Sequence, residues 1–173
     1  MSTLHSIYVI LFFMKAKEEG VREHHYFMDK EGRLFFQGNQ IRDPWVYGFF
    51  HRSLRQTKEG RFLVICENEH CYIEVEDVPY VINDINVIKD ENGEISRIEL
   101  LFNGGYKETL DPSTLFVGKE NVLYCRVRKG VFLARFNRKS YYHIVNLIEY
   151  NDKAGEFQIR MNNRPYTIAS RSF

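Results

Sequence analysis

The sequence predicts an α+β protein built from a duplicated unit of hairpin, helix and hairpin. Short apolar runs separated by turn residues predict antiparallel strands, and two segments with apolar residues at helical spacing predict one helix for each unit. The order hairpin, helix, hairpin occurs twice along the 173 residues, which indicates two copies of one fold. We therefore expect antiparallel sheets, each packed by one helix.

The first unit is predicted over residues 28–112. Gly38-Asn39 separates two apolar runs and predicts a tight hairpin turn, because both residues tolerate positive φ. Asp43-Pro44 is typical of a helix start, and apolar spacing predicts a helix over 44–57 that ends before Gly60. The residues expected to pack this helix are Trp45, Phe49, Phe50 and Leu54. The runs RFLVIC and CYIEV then predict the second hairpin.

Extra strands follow inside the first unit. Residues 81–88 and 95–102 are strand-like, and the turn at 90–93 contains Asn-Gly, so they predict a further hairpin. A short strand-like run leads to Leu110 and a loop begins at Asp111-Pro112.

The second unit is predicted over residues 113–173. A hairpin turns at Lys129-Gly130, Asn137 caps a helix, and a last hairpin follows Gly155. The apolar stripe of the helix is formed by Tyr141, Ile144, Val145 and Ile148. Gly155 lies 95 residues after Gly60, and aligning these two glycines superposes RFLVICENEHCYI on EFQIRMNNRPYTI without a gap.

Composition and charge exclude several classes of function. A net charge of +1 and a pI near 7.7 disfavour nucleic-acid polymers and anionic membranes as partners. The longest apolar run, residues 7–14, is too short to span a bilayer, which needs about 20 residues. Three cysteines are an odd number, so we expect free thiols and a cytoplasmic protein.

Residues 1–27 are interpreted as an N-terminal leader. The apolar run lacks the flanking charge and cleavage pattern of a signal peptide. Translation from Met1 and translation from Met14 stay open as alternatives.

Several short segments, in order, resemble a known family. They are Gly32-Arg33-Leu34-Phe35 with Gly38 and Ile41, then residues 73–80, then Val127-Arg128 with Gly130-Val131, Ala134-Arg135 and Tyr141-Tyr142. This pattern, over residues 28–169, resembles the bacterial family called domain of unknown function 1285 (DUF1285). The resemblance implies a duplicated α+β fold, a second half loosely similar to pleckstrin-homology folds, and a nucleotide-type ligand between the halves in a signalling role. Residues 1–20 and the turn 66–71 depart from the family pattern, and the family has no assigned catalytic residues.

A basic block is the main candidate for binding. Residues 121–148 contain six Lys and Arg residues and no acid. Strand alternation predicts that Arg126, Arg128 and Tyr124 project together, where guanidinium groups suit a phosphate and a ring suits a base. We expect Arg135 to be a further phosphate contact. The alternatives are that this block docks on the first unit, or that it is simply exposed to solvent.

The stretch IEVEDVPY carries the opposing acids. Glu74, Glu76 and Asp77 are interpreted first as the exposed face of a strand that Pro79 ends. If the units form a cleft, Asp77 and Tyr80 border its second wall.

Motifs for catalysis and metal binding are weak. Cys66, His70 and Cys71 lack the second pair of ligands that a structural zinc requires, and we expect the two cysteines to face each other across a hairpin. Ser140 and His143 have no nucleophile elbow around the serine, and the segment 129–136 lacks the stacking aromatics of an RNA-recognition strand.

We therefore expect a non-enzymatic regulatory or signalling protein that needs no cofactor and binds a small anionic, nucleotide-type ligand between its units. The first alternative is a protein–protein interaction module with no small ligand. The second alternative is a hydrolase that uses Glu74 and Asp77 as a carboxylate pair.

Overall fold

A computed structural model describes residues 21–171, and within that range it contains two α-helices and three sheets. The α+β class predicted from the sequence is confirmed. The predictions for residues 1–20, including the apolar run and the choice between Met1 and Met14, lie outside the described residues.

The first sheet has six strands. They are β1 (Arg22–Met28), β2 (Leu34–Phe36), β3 (Asn39–Gln40), β4 (Arg55–Gln56), β5 (Phe62–Cys66) and β6 (Glu69–Val75). Their spatial order is β3-β2-β1-β6-β5-β4, and the predicted hairpins β2–β3 and β5–β6 are both present.

Strand β1 corrects two predictions. All but its last residue lies in the segment interpreted as a leader, and it pairs with β6 in parallel, so this sheet is mixed rather than antiparallel. The strand begins with the polar residues Arg-Glu-His-His, which do not resemble a strand locally. Its main partner, β6, begins more than 40 residues further along the chain, so no neighbouring segment indicates the pairing. Tyr26 and Met28 are buried while Phe27 is exposed, which is the alternation of a half-buried strand.

Helix α1 (Pro44–Ser53) begins as predicted, with the side chain of Asp43 accepting a hydrogen bond from the backbone N–H of Trp45 (2.8 Å). It ends earlier than predicted, because β4 begins at Arg55. Phe50 and Leu54 are buried, but Trp45 is 57% exposed and stacks on Phe49 at the surface. The prediction that Trp45 packs the helix is therefore wrong, since its side chain lies outside the buried face that Val46, Tyr47 and Phe50 form.

The remaining strands and the second α-helix are, in chain order, β7 (Tyr80–Lys89), β8 (Ile95–Phe102), β9 (Lys107–Thr109), β10 (Phe116–Val117), β11 (Leu123–Val127), β12 (Phe132–Phe136), α2 (Arg138–Val145), β13 (Ile148–Asn151), β14 (Glu156–Met161), β15 (Arg164–Thr167) and β16 (Ala169–Ser170). The second sheet has the order β16-β10-β11-β12-β7-β8-β9, and the third has the order β13-β14-β15.

The second sheet joins the two predicted units. The hairpins β7–β8 and β11–β12 are antiparallel, as predicted. Strand β7 also pairs with β12, and β10 with β16, in parallel. Strands from before and after the predicted boundary at residues 112 and 113 therefore belong to the same sheet.

The repeat is visible in the strand register. In the β5–β6 hairpin Val64 is opposite Cys71, and in the β14–β15 hairpin Ile159 is opposite Tyr166, which is the same pairing 95 residues later. Each hairpin follows a helix and a third strand, β4 or β13. Ile148, predicted on the helical stripe, instead begins β13, because α2 ends at Val145.

One main hydrophobic core, besides a small cluster around Phe116, extends through the described chain. It takes residues from both helices and all three sheets, among them Leu34, Phe50, Tyr80, Ile144 and Ile159. The two repeated units therefore share their buried surface. No helix within residues 21–171 is long and apolar enough to cross a membrane.

Candidate functional site

Asp77 connects the two halves of the chain. It lies between β6 and β7, and its Oδ2 accepts hydrogen bonds from Nη1 of Arg135 (2.7 Å) and from the hydroxyl of Tyr124 (2.8 Å). Tyr124 and Arg135 are directly opposite each other on β11 and β12. Burial and the bond to Asp77 raise the pKa of Tyr124 to about 12, so the phenol stays protonated and donates.

Arg128 belongs to a second contact, on the opposite side of the hairpin from Tyr124. Its backbone is in the left-handed region (φ 53°), which ends the alternation of β11. Its Nη1 donates to the carbonyl oxygen of His51 (2.6 Å) and lies 3.2 Å from the hydroxyl of Tyr80. The prediction that Arg126, Arg128 and Tyr124 project together is therefore wrong for Arg128.

Aromatic rings enclose this second contact. His51 is buried among Tyr80, Phe102 and Tyr106, with ring centroids 5.3 to 5.6 Å from its own. Its Nδ1 is 3.1 Å from the carbonyl oxygen of Asn103, an acceptor, which places a proton on Nδ1. Burial lowers the pKa of His51 to about 4, so the ring is neutral at pH 7.

Tyr80 and Glu108 complete the network. The hydroxyl of Tyr80 donates to the same His51 carbonyl (2.7 Å), and burial raises the pKa of Tyr80 to about 12. Glu108 accepts from the hydroxyl of Tyr106 and from the backbone N–H of Arg128 (2.8 Å to the latter). The carboxylate of Glu108 therefore holds the turn that carries Arg128.

Arg126 stands apart from both contacts. It is exposed, and its Nη1 donates to the carbonyl oxygen of Gly130 across the hairpin turn (3.0 Å). The six residues predicted as one ligand site thus have three different environments: the Asp77 contact, the His51 contact, and the exposed side of the hairpin.

The acids of the stretch IEVEDVPY also separate. Glu74 is on the outer face of β6, whereas Asp77 is directed to the β11–β12 hairpin. Glu76 accepts a hydrogen bond from the backbone N–H of Lys30 (3.0 Å). Glu74 and Asp77 therefore do not face a common space as a carboxylate pair must.

The serine and histidine of α2 are not coupled. Ser140 is buried and its hydroxyl donates to the carbonyl oxygen of Ile82 (2.7 Å). Nδ1 of His143 is 2.6 Å from Asp84, which also accepts from Lys139 (2.5 Å). The hydrogen bond from Lys139, and to a smaller extent the one with His143, lowers the pKa of Asp84. Both contacts attach α2 to β7.

The cysteines are ordinary buried or half-buried thiols. Cys71 lies opposite Val64 and Cys66 lies opposite Glu69, so the two cysteines are diagonal neighbours. The prediction that they face each other is therefore wrong. Burial raises the pKa of Cys71 to about 12. Within residues 21–171, no three or more His, Cys, Asp or Glu side chains are grouped to hold a metal ion.

A groove on the outer face of the first sheet was missed by sequence reasoning. It has a volume of about 430 Å³ and is lined by His25, Tyr26, Phe27, Asp29, Phe35, Gln37, Gly38 and Glu74. The alternating run HHYFM was the available signal, but it lay in the segment interpreted as a leader.

Two crystal structures have a similar fold. One is a DUF1285 family protein from Silicibacter pomeroyi, with 20% identity and a TM-score of 0.66 over 92% of this chain and 93% of that chain. The other, a DUF1285 family protein from Shewanella baltica, has 17% identity and a TM-score of 0.55 over 70% of this chain and 90% of that chain. No protein-family model and no curated protein matches the chain. The structural likeness agrees with the resemblance seen in the sequence: this chain has the fold of the DUF1285 family proteins.

Proposed function

We propose that this protein is a non-catalytic regulatory module that binds another protein chain through the outer face of its first sheet. The observation that carries the proposal is a continuous aromatic and aliphatic surface across four strands. Phe35 is opposite Phe27, and His25 is opposite Tyr72, which has Ile65 of β5 as a diagonal neighbour. Phe27 is 42% exposed and Ile65 is 36% exposed. Exposed apolar surface that continues across strands is typical of protein interfaces, where aromatic residues are enriched.

The contacts of the arginines favour this proposal over a small anionic ligand. Arg135 is bound to Asp77, and Arg128 is bound to the carbonyl of His51, so a phosphate would have to replace both contacts. Replacing a partly buried charge pair costs binding energy, because the remaining partner loses its hydrogen bonds. For a nucleotide-type ligand, which stays a prediction, Arg126 is the exposed guanidinium among the predicted residues.

Site-specific photo-crosslinking tests the protein-binding surface. Benzoylphenylalanine replaces Phe27 on the outer face or, as a matched control, Val131, which is 60% exposed at the tip of the β11–β12 hairpin. We expect a discrete protein adduct in a bacterial lysate from position 27 and none from position 131. Excess unlabelled wild-type protein removes that adduct, and excess Tyr72→Ala protein does not. The same adducts from both positions, or none from position 27, would contradict the proposal.

A thermal-shift screen tests the competing ligand. A nucleotide present at 100 times its dissociation constant adds about 2.7 kcal/mol to stability and raises the melting temperature by several degrees. We expect no such shift with nucleotides, cyclic dinucleotides or inorganic phosphate. A shift that Arg126→Gln removes would overturn the proposal in favour of the anionic ligand.

A further inference from the structure

The groove on the outer face of the first sheet has aromatic walls and a carboxylate. Phe27 and Phe35 are opposite each other on β1 and β2, with ring centroids 6.2 Å apart. Phe27 is also opposite Glu74 on β6, so the carboxylate lies beside the exposed ring. The volume of about 430 Å³ is sufficient for one long side chain of a partner.

Glu74 differs from the neighbouring acids in having no basic partner within residues 21–171. Asp29, at the end of the groove, accepts hydrogen bonds from the side chain and the backbone of Arg33 (2.6 and 2.8 Å). Glu76 binds the backbone N–H of Lys30 and lies 3.8 Å from its ammonium group. The nearby Lys30 and Arg33 are therefore matched with acids, and the negative charge of Glu74 remains for a partner.

The same face already binds one guanidinium group. Cζ of Arg61 lies 3.6 Å from the ring centroid of Tyr72, and His25 stacks on the same tyrosine. A guanidinium over an aromatic ring is stabilised by the electron-rich face of the ring. Phe27 and Phe35 offer similar ring faces beside Glu74, which adds the opposite charge that Tyr72 lacks.

We propose that this groove binds a cationic side chain, arginine or lysine, of the protein partner. The inference rests on the proposed function and specifies the chemistry of the partner at one position. The rings contact the flat guanidinium group or the lysine methylenes, and Glu74 accepts hydrogen bonds from the charged end.

Titration of the full-length protein with short peptides, followed by amide NMR shifts, tests the inference. The probes are acetyl-Gly-Arg-Gly-amide, the lysine equivalent, and the citrulline equivalent, which has the shape of arginine without its charge. We expect millimolar binding of the cationic peptides with shifts at Phe27, Phe35 and Glu74, and at least fivefold weaker binding of the citrulline peptide. Equal binding of the citrulline peptide, or shifts that are confined to other surfaces, would overturn the inference.

Two variants separate the role of Glu74 from general electrostatics. Glu74→Gln is expected to weaken binding of the arginine peptide at least fivefold. Glu91→Gln, which removes another exposed acid, in the β7–β8 turn, is expected to leave binding unchanged. Equal effects of the two substitutions would show that net charge, not the groove, attracts the peptide, and would contradict the inference.

The two proposals fail in different ways. If Glu74→Gln leaves the adduct at position 27 and the binding of the arginine peptide unchanged, the cation inference is wrong and protein binding stands. If the arginine peptide binds as expected but position 27 forms no adduct, the groove has the inferred chemistry but the proposed function is wrong.

Discussion

Arg126 and Arg128 are two positions apart, but their guanidinium groups have different roles. Arg126 extends along the exposed side of the hairpin, whereas Arg128, at φ 53°, turns back to the carbonyl of His51. A charged hydrogen bond in a partly buried place contributes more to stability than an exposed one, because water does not fully replace the lost donor. At the residue scale, the positive φ of Arg128 directs its side chain to a structural contact, whereas Arg126 remains exposed.

Arg128→Gln is therefore expected to lower the free energy of unfolding by about 1–3 kcal/mol, because the His51 carbonyl loses a charged donor. Arg126→Gln is the matched control and is expected to change that free energy by less than about 0.5 kcal/mol, since its side chain is exposed. Urea denaturation measures both. Equal stability of the two variants would contradict the structural role of Arg128.

Asp77→Asn is expected to destabilise the protein by about 1–3 kcal/mol, because Arg135 loses its anionic partner and Tyr124 a charged acceptor. The Arg135 side chain is 13% exposed, so water replaces the contact only in part. Glu76→Gln is the control, since Glu76 is the residue before Asp77 in the chain and is exposed. Urea denaturation again gives the difference, and an Asp77→Asn variant as stable as Glu76→Gln would argue against the Asp77 contact.

Helix α1 and the loop after β8 are in backbone contact. Gly104 has φ 70°, and a Cβ atom at this position would lie 2.2 Å from the amide nitrogen of Gly48 and 2.4 Å from the carbonyl oxygen of Pro44. The same loop presents the Asn103 carbonyl to His51. At the element scale, a close approach of two backbones positions the helix that carries the His51 contact.

Gly104→Ala is expected to cost about 2–5 kcal/mol, combining left-handed strain of about 1–2 kcal/mol with overpacking of about 1–3 kcal/mol. Gly105→Ala is a matched control with the same φ of 70° and no atom within 4 Å of the added Cβ. The control variant therefore has the backbone strain without the overpacking. Thermal and urea unfolding measure both variants. A Gly104→Ala protein no less stable than Gly105→Ala would contradict the close approach.

The main core makes the described chain one folding unit at the scale of the whole molecule. Both repeats contribute to it, and the second sheet takes strands from both. Global stability therefore reflects buried groups from either half, including the neutral ring of His51.

Stability is expected to fall as the pH decreases from about 6.5 to about 4. In this range the unfolded chain binds a proton at His51 while the folded chain, with its lowered pKa, does not, so protons favour unfolding. The His51 contribution is about 3 kcal/mol, is fully present above pH 6.5, and is lost at pH 4 and below. The slope of unfolding free energy against pH, compared between the wild type and His51→Phe, measures it. An NMR titration midpoint of the folded His51 near 6.5 would contradict the prediction.

The sequence by itself determined the α+β class, most of the hairpins, both helix starts and the repeat, because these depend on local turn residues, caps and apolar spacing. Gly155 aligns with Gly60 in the sequence, and the strand register follows the same 95-residue shift. The caps at Asp43 and Asn137 are likewise short-range hydrogen bonds that a few neighbouring residues specify.

Only the tertiary structure decided the place of β1, the parallel pairs and the partners of the charged residues. Strand β1 depends on β6, and Asp77 depends on Arg135 58 residues away. Such contacts form between segments that are distant in sequence, so no local pattern reports them. The exposure of Trp45 was predicted wrongly and the groove beside Glu74 was missed for the same reason, since exposure depends on what the rest of the chain covers.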